Sequence, residues 1–502
     1  MIVVLERVNA FVWGVPALVL ILGVGIWLSF LTGFSQFTLL PKAIGHFLSK
    51  LFGKGGGKDG VSPYQTLCTA LAATVGTGNI AGVAGAIAIG GPGAVFWMWI
   101  CALFGMITKF AEATLAVHFQ QKDRSGQYVG GPMYMIERGL GKRWRWLAWL
   151  YCIFGVVAAF GVGNATQVNA VLDGFNTAFE NFGIQGSQTV NILLGFALAC
   201  LTAFLLLGGA GRIGRAAERI VPVAAVGYIL LGAGVLISCA DRIPQAFRMI
   251  FAGAFAPSAV TGGSIGSLAL ALRTGFSRGV FTNEAGMGTA SISYASAAVE
   301  HPVEQGLMGI IEVFLDTIVI CTVTALVILC SGVGIYFGID EGAALTSRAF
   351  GGVYGQWVSV VIALFLCCFA FATMLGWGLY GVRCAQYLFG EKAWKPFVIL
   401  QAAVVTASSV MQTGTVWMLA ETLNGLMAIP NLIALAALSP TLLALTKNYK
   451  AISGSSSAVG GTNESFYQCK SLRAFSYEKV PPSSNRGGKA GKKDLSLKHR
   501  SA

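Results

Sequence analysis

Two short stretches of the sequence place glycines beside oxygen-bearing side chains within long apolar segments. The first is "AATVGTGNIAG" at residues 72–82, and the second is "TNEAGMGTA" at residues 282–290. Glycine weakens a helix, and a polar group in hydrocarbon needs a hydrogen-bonding partner. One interpretation is that the glycines only allow neighbouring helices to pack closely. We favour the other, two helices broken within the membrane, because Asn79, Asn283 and Glu284 lie beside the glycines.

A broken helix has binding chemistry at both of its inner ends. The N-terminus of a half-helix attracts an anionic group, and the free carbonyls of a C-terminus attract a cation. A substrate with a carboxylate and an ammonium group, together with a small hard cation, fits both demands. The sequence has no nucleophile–base set and no transition-metal ligand spacing. We therefore expect neither an enzyme nor a cofactor.

The elements around these stretches are membrane-spanning helices. Of the 502 residues, 55% are hydrophobic and only 11% are charged, which is far from the composition of a soluble domain. The pattern predicts an all-α polytopic membrane protein with about eleven transmembrane helices of roughly 20 residues or more. They are expected at 10–33, 63–88, 93–118, 146–172, 188–208, 217–239, 263–297, 306–333, 357–382, 396–414 and 418–446.

The two broken helices are the second and the seventh of these segments, so five spans separate their starts. We predict two five-helix repeats, spans 2–6 within residues 63–240 and spans 7–11 within residues 241–446. An odd number of spans inverts the second repeat in the membrane, and inverted repeats with discontinuous helices are typical of secondary transporters. Residues 1–62 then supply one peripheral helix and a cytoplasmic loop.

The distribution of lysine and arginine predicts the orientation. Alternate connections are rich in these residues, which places the N-terminus outside and the C-terminus in the cytoplasm. Residues 447–502 contain eleven basic and three acidic residues, +8 of the formal +13, and few apolar ones. Such a segment is expected to be a disordered tail that contacts anionic lipid. We expect no nucleic-acid partner, since structured aromatic partners are lacking.

Four strings resemble the alanine or glycine:cation symporter family of bacterial and archaeal carriers. They are "SPYQTLCTALAATVGTGNIAGVAGAIAIGGPGAVFWMWI", "GGPMYMIERGLG", "RGVFTNEAGMGTA" and "FLDTIVICTVTALVI", and the resemblance runs from about residue 10 to 446. It implies a LeuT-type core preceded by one peripheral helix. It also implies Na+-coupled uptake of alanine or glycine across the bacterial inner membrane by alternating access.

The resemblance also implies roles for individual residues. The carbonyls of Ala72 and Val75 and the hydroxyl of Thr373 would bind one Na+, since hard cations prefer oxygen ligands. Asn79 and Thr282 would lie nearest a second cation or the substrate carboxylate. The chain has Ala372 where members of the family often have a second hydroxyl, and Val382 and Arg383 where they often have an acid.

The same comparison predicts the walls of the substrate site. The carboxylate is assigned to the backbone of Gly76, Thr77 and Gly78, and the amino group to the unwound segment that follows Asn283. Trp377 would limit the size of the side chain. The predicted substrate-binding set is completed by Asn79, Asn164, Gln167, Asn283, Glu284, Gly286 and Gly288.

Other charges within the spans have open or local interpretations. Glu312 and Asp316 share one helical face and serve either a cation path, for which Asp316 is the Na+ candidate, or the backbone amides of a broken helix. Lys109 and Glu112 are expected to form an ion pair at helical spacing.

Two functional alternatives remain open at this stage. Glu284 leaves coupling to H+ possible, and a transporter-like amino-acid sensor would signal through the tail. Protein partners are not indicated by the sequence.

Overall fold

The computed structural model describes residues 7–9, 11–52, 61–263, 267–410 and 414–455. Helices dominate these residues, and the one sheet that they form is a short antiparallel hairpin. Its strands are β1 (Gln121–Lys122) and β2 (Tyr128–Val129), with Gln121 opposite Val129.

The longer helices follow in chain order, and three of them continue through a π-helical turn. They are α1 (Val15–Leu31), α2 (Leu40–Phe52), α3 (Pro63–Thr74), α4 (Val83–Gly90), α5 (Gly93–His118), α6 (Arg145–Phe160), α7 (Thr166–Asn181), α8 (Gln188–Leu206), α9 (Gly209–Ser238), α10 (Ile243–Phe255), α11 (Leu268–Asn283), α12 (Thr289–Tyr294), α13 (Pro302–Val313), α14 (Thr322–Ser331), α15 (Ala343–Tyr354), α16 (Val358–Phe389), α17 (Trp394–Ser408), α18 (Gly414–Ala437) and α19 (Ser439–Ser455). The π-helical turns that continue these longer helices are Gly78–Gly82 before α4, Gly161–Ala165 between α6 and α7, and Phe314–Cys321 between α13 and α14, and the short segment Met135–Leu140 is π-helical as well. Shorter helical turns are Ser35–Thr38, Pro132–Tyr134, Met135–Leu140, Lys142–Trp144, Ala240–Arg242, Pro257–Val260 and Glu391–Ala393.

The chain is a multi-pass membrane protein. Among the described residues, six helices are long and apolar enough to cross a membrane, and eight are if each of two bent pairs counts as one span. One bent pair is α3 with the helix that follows it, at 51°. The other, at 60°, joins α18 to α19. This second bend divides the segment that the sequence predicts as a single helix at 418–446.

Three helices lie outside the predicted spans. They are α2, α10 and α15, each too short to cross a membrane at 1.5 Å per residue. Residues 447–455, the start of the predicted disordered tail, are helical, because α19 continues to Ser455. The chain divides into two units, Met1–Thr446 and Lys447–Ala502. Residues 456–502, most of the predicted tail, lie outside the described residues.

Helix α5 packs closely against α11 and α13. Glycine permits the approach to α13, since a Cβ at Gly309 would lie 2.8 Å from the carbonyl oxygen of Lys109. Helix α16 packs against α6 and α7 and also contacts α3. Helix α3 begins with a capping box, in which the Ser62 hydroxyl accepts from the Gln65 amide and the Gln65 side chain accepts from the Ser62 amide.

Candidate substrate and cation site

The first break interrupts the helix where the sequence predicts it. Helix α3 ends at Thr74, Val75 is extended with ψ 92°, and the chain resumes with the π-helical turn at Gly78. The Asn79 side chain closes the break, because its Oδ1 accepts from the Gly76 amide at 2.9 Å. The interruption ends the regular ladder of backbone hydrogen bonds, which leaves carbonyls near the end of α3 available to a ligand.

Asn79 also joins the first break to the π-helical turn Phe314–Cys321. Its Nδ2 donates to Asp316 Oδ1 at 2.7 Å and to the Asp316 carbonyl at 3.2 Å. The other carboxylate oxygen of Asp316 accepts from the Thr317 hydroxyl at 2.7 Å. Asn79 and Asp316 are both fully buried. Asp316 therefore contacts the first break through the Asn79 side chain, although Asp316 lies more than two hundred residues later in the sequence.

The second break separates α11 from α12. Glu284 has φ 52°, one of two positive values among the described non-glycine residues, and Gly286 and Gly288 have φ 93° and 75°. Left-handed backbone is costly for a side-chain-bearing residue and tends to occur at functional sites. Glu284 Oε1 accepts from the Trp377 indole at 2.8 Å, and Oε2 accepts from the Thr289 hydroxyl at 2.6 Å.

A small cavity of about 10 Å³ lies between the two breaks. A volume of this order holds about one water molecule, so little space is left between the two breaks. The cavity is lined by Ala73, Thr74, Gly76, Thr77, Gly78, Val162, Gln167, Phe281, Glu284, Thr373 and Trp377. Gln167 Oε1 is buried and has no hydrogen-bond partner among the described residues. An unpartnered buried acceptor is costly, which marks this wall of the cavity as a place for a donor.

One predicted Na+ position has its oxygens close together. The Thr373 hydroxyl lies 3.1 Å from the carbonyl oxygen of Ala72 and 3.0 Å from that of Phe369. A Cβ at Gly76 would lie 2.7 Å from the same hydroxyl. Helix α16 therefore presents Thr373 directly to the end of α3, at Ala72 and Gly76.

The second predicted cation position is formed differently. The Thr282 hydroxyl donates to the Gly279 carbonyl at 2.8 Å, and its methyl group faces Gly78. Thr282 and Asn79 both contact the thiol of Cys321, which lies 3.3 Å from Asn79 Nδ2. Thr282, Asn79 and Asp316 thus meet around Cys321, which the sequence suggests is only a small apolar core residue.

Five residues of the predicted substrate set do not line the cavity, and one of them, Asn79, closes the first break instead. Asn164 donates to the Ala159 carbonyl at 2.5 Å and accepts from Gln401 on α17 at 3.0 Å. Asn283 donates to Thr317 at 3.2 Å. The amides of Gly286 and Gly288 donate to a carboxylate of α5 and so face away from the cavity.

That carboxylate belongs to Glu112, for which the sequence predicts a different partner, Lys109. Glu112 Oε1 accepts from the amides of Gly286 and Gly288, at 2.9 and 3.0 Å. The predicted Lys109–Glu112 ion pair is wrong, because Lys109 Nζ pairs with Glu312 Oε1 at 3.0 Å. Glu312 Oε2 accepts from the Tyr294 hydroxyl at 2.8 Å, so both oxygens of Glu312 bind side chains and not the backbone amides of a break. Its role in a cation path stays a prediction.

A second, larger cavity of about 720 Å³ lies next to the first. Thr77, Gly78 and Phe281 line both cavities, so Phe281 stands between them. The wall of the larger cavity also includes an ion pair between Arg278 and Asp340 at 3.0 Å. No signal in the sequence analysis identifies Phe281, because an apolar residue in an apolar helix is unremarkable.

Two broken helices that meet around one small cavity, in a multi-pass membrane protein, are features of a LeuT-type fold. The solved structure of MhsT in complex with L-phenylalanine has this fold. It matches with a TM-score of 0.54 at 15% sequence identity, covering 78% of this chain and 99% of that chain.

The chain belongs to the sodium:alanine symporter family, whose sequence profile matches residues 1–459. It is 43% identical over 451 residues to the sodium/alanine symporter AgcS of Methanococcus maripaludis, which covers 89% of this chain and 97% of that protein. It is 41% identical over 451 residues to an uncharacterized transporter of Haemophilus influenzae, with 89% and 95% covered. The family assignment made from the sequence is confirmed, and this is a transporter rather than an enzyme.

Proposed function

We propose that the protein imports small neutral amino acids, alanine and glycine, by Na+ symport and alternating access. The observation that carries this proposal is the cavity between the two breaks. It joins an unpartnered amide oxygen, Gln167 Oε1, and the carboxylate of Glu284 to the glycine backbone of the first break. These groups suit the two ends of a zwitterionic amino acid. Because the cavity now holds about one water molecule, the site must widen to admit a substrate, and a short side chain requires the least widening.

The substrate is held as follows in this proposal. The carboxylate binds to the backbone of Gly76, Thr77 and Gly78, at the start of the second half of the first broken helix. The ammonium group donates to Glu284 and to Gln167 Oε1. Trp377 closes the end of the site, where its indole is held by Glu284. Asn79 and Asn283 support the two breaks from outside the cavity.

Na+ binds between Thr373 and the carbonyls of Ala72 and Val75. The distance of 3.1 Å between the Thr373 hydroxyl and the Ala72 carbonyl supports this position, since both oxygens can turn to one ion. Asn79, Thr282 and Asp316 form the candidate position for a second cation. No organic cofactor or transition metal is needed, because the Na+ gradient supplies the driving force.

The coupling is strong enough to concentrate substrate. A membrane potential of about 100 mV contributes about 2.3 kcal/mol per charge. A tenfold Na+ gradient adds about 1.4 kcal/mol, so one Na+ drives a roughly several-hundredfold accumulation. Closure of the site must follow the binding of both ligands, since otherwise Na+ would leak.

The membrane architecture in this proposal has eleven spans. Spans 2–6 and 7–11 form two inverted repeats within residues 63–240 and 241–446, and residues 1–62 contain the peripheral helix. The protein lies in the bacterial inner membrane with its N-terminus outside. The larger cavity then opens to the exterior, and Phe281 and the Arg278–Asp340 pair lie on the outer side of the substrate site.

Uptake by the purified protein in liposomes tests the function. Radiolabelled alanine should accumulate under an inward Na+ gradient and not under a matched K+ gradient. Equal uptake under both gradients would exclude Na+ coupling, and an inward H+ gradient in K+ buffer tests H+ as the coupling ion. Absence of alanine and glycine uptake under every gradient would favour an amino-acid sensor.

A further inference from the structure

Glu112 has two oxygens in very different surroundings. Oε1 accepts three hydrogen bonds, from the amides of Gly286 and Gly288 and from Asn431 Nδ2 at 2.7 Å. Oε2 is buried and has no hydrogen-bond partner among the described residues. An ionised carboxylate spreads its charge over both oxygens, so a bare Oε2 in a dry interior is strongly unfavourable.

Asn431 shows the same imbalance. Its Nδ2 donates to Glu112 Oε1 and to the Gly286 carbonyl at 2.9 Å, whereas its Oδ1 is buried without a partner among the described residues. The two unpartnered oxygens therefore belong to two groups that already share one hydrogen bond. Both are acceptors when Glu112 is ionised, so they cannot bond to each other without a proton.

The balance of charge points the same way. The buried lysine and acid side chains among the described residues are one base, Lys109, and four acids, Glu112, Glu284, Glu312 and Asp316. Lys109 pairs with Glu312. In the proposed function the substrate ammonium faces Glu284 and a cation faces Asp316. Neither ligand reaches Glu112.

The described groups around Glu112 supply no positive charge beyond that of Lys109. Lys109 on the same helix and Glu312 on α13 are the charged groups that act on Glu112, and Lys109 is committed to Glu312. Tyr151 on α6 and Tyr380 on α16 experience the charges of Glu112 and Glu284, and both are neutral hydroxyls. Tyr294 on α12 donates to Glu312.

We propose that Glu112 is a proton-binding site, with the proton on Oε2 and directed to Asn431 Oδ1. The two side chains then form a cyclic acid–amide pair in which both unpartnered oxygens are satisfied. As a neutral acid, Glu112 holds the amides of the second break without placing another negative charge beside Glu284. Glu112 is thus a positioning residue for the substrate site, and Asn431 on α18 is its partner.

Infrared spectroscopy of the purified protein at neutral pH tests this directly. The difference spectrum between the native protein and Glu112→Gln should contain the carbonyl-stretch band of a protonated carboxylic acid. Glu391→Gln is the matched control, since Glu391 is half-exposed and should contribute only a carboxylate band. If Glu112→Gln instead removes a carboxylate band, Glu112 is ionised in the native protein, whether free or bound to Na+, and the proposal is overturned.

A second variant keeps the test decisive if Glu112→Gln does not fold. Asn431→Ala removes the proposed acceptor of the proton, so the protonated-carboxyl band of Glu112 should shift in frequency. An unchanged band in Asn431→Ala would contradict the acid–amide pair. Both spectra report on the proton even if the protein does not transport alanine.

Transport gives a separate readout that rests on the proposed function. Glu112→Ala should lower Na+-driven alanine uptake at least tenfold, because the amides of Gly286 and Gly288 lose their acceptor. Glu112→Gln should recover most of this loss, since its amide group accepts at one atom and donates to Asn431 at the other. A Gln variant as defective as the Ala variant would show that a charge, not a proton, is required.

Discussion

The Na+ proposal depends more on the hydroxyl of Thr373 than on any other side chain. Thr373→Val keeps the shape of the side chain but removes an oxygen 3.1 Å from the Ala72 carbonyl. We expect the Na+ concentration for half-maximal alanine uptake to rise at least tenfold, equivalent to about 1.4 kcal/mol. Thr373→Ser retains the hydroxyl and should stay near the native value. An equal Na+ requirement in the Val and Ser variants would contradict this site.

The neighbouring Ala372 offers the reciprocal experiment. This residue is fully buried and directly precedes Thr373 on α16. If the ion lies where Thr373 and Ala72 indicate, Ala372→Ser adds a ligand oxygen. The Na+ concentration for half-maximal uptake should fall several-fold in Na+ titrations of uptake. Ala370→Ser, on the same buried helix, is the control that should not change it.

Trp377 determines substrate size in our proposal. Trp377 is fully buried. Its Cβ packs tightly against Gly163, where an added Cβ would lie only 2.4 Å away, so the side chain has no room to move toward α6 and α7. Trp377→Phe and Trp377→Leu both remove the hydrogen bond to Glu284 but open different volumes. In competition assays, leucine should inhibit alanine uptake weakly in the Phe variant and about tenfold more strongly in the Leu variant. A tenfold change lies within the one to three kcal/mol by which apolar pockets typically discriminate substrates that differ by a methylene group. Identical leucine inhibition in both variants would exclude a steric role.

At the scale of elements, the second break depends on glycine at a specific position. Gly288 has φ 75°, and a Cβ there would lie 2.4 Å from Pro132 and 2.7 Å from Asn431. Gly288→Ala should therefore reduce alanine uptake at least tenfold, through backbone strain of about 1–3 kcal/mol and displacement of both neighbours. Gly351→Ala in α15 is the control, because that glycine has no neighbouring atom within 4 Å of the added carbon. Uptake is normalised to the monodisperse protein recovered in detergent, and similar uptake in both variants would refute the requirement.

Both breaks are predictable from the sequence because their cause is local. Glycines and oxygen-bearing side chains in an apolar segment conflict with a continuous helix wherever that segment lies. The partners of the breaks are not local. Glu112 is one helical turn from Lys109, and that spacing favours an ion pair. In the structure Lys109 pairs with Glu312, and Glu112 accepts hydrogen bonds from the second break. These contacts depend on how helices distant in sequence align with one another, which no local pattern encodes.

The bend between α18 and α19 shows the same limit. Its residues are apolar on both sides, so hydropathy predicts one span at 418–446. The π-helical turns at Gly161–Ala165 and Phe314–Cys321 are likewise absent from the prediction, although Gln167 and Asp316 lie in or beside them. Such turns insert one residue into a helix and change which side chains face the site. Asn164 and Gln167 therefore point to different places, and only Gln167 lines the cavity.

Across the protein as a whole, the two cavities are a small substrate site and a wider vestibule beside it. The vestibule of about 720 Å³ and the site of about 10 Å³ share Thr77, Gly78 and Phe281. These three residues are the shared wall of the two cavities. In an alternating-access cycle the vestibule should be accessible from outside and should contract when both ligands are bound.

Asn176 lines this vestibule and is a suitable reporter of its accessibility. In intact cells a membrane-impermeant maleimide should label Asn176→Cys, and Na+ with alanine together should slow labelling at least threefold. Na+ or alanine alone should have a smaller effect, because closure requires both. Cys substituted for Lys142, on the side predicted to be cytoplasmic, should react only after permeabilisation, and the parent chain gives the background from native cysteines. Labelling of Lys142→Cys in intact cells would reverse the proposed orientation, and labelling of Asn176→Cys unaffected by ligands would contradict closure of the vestibule.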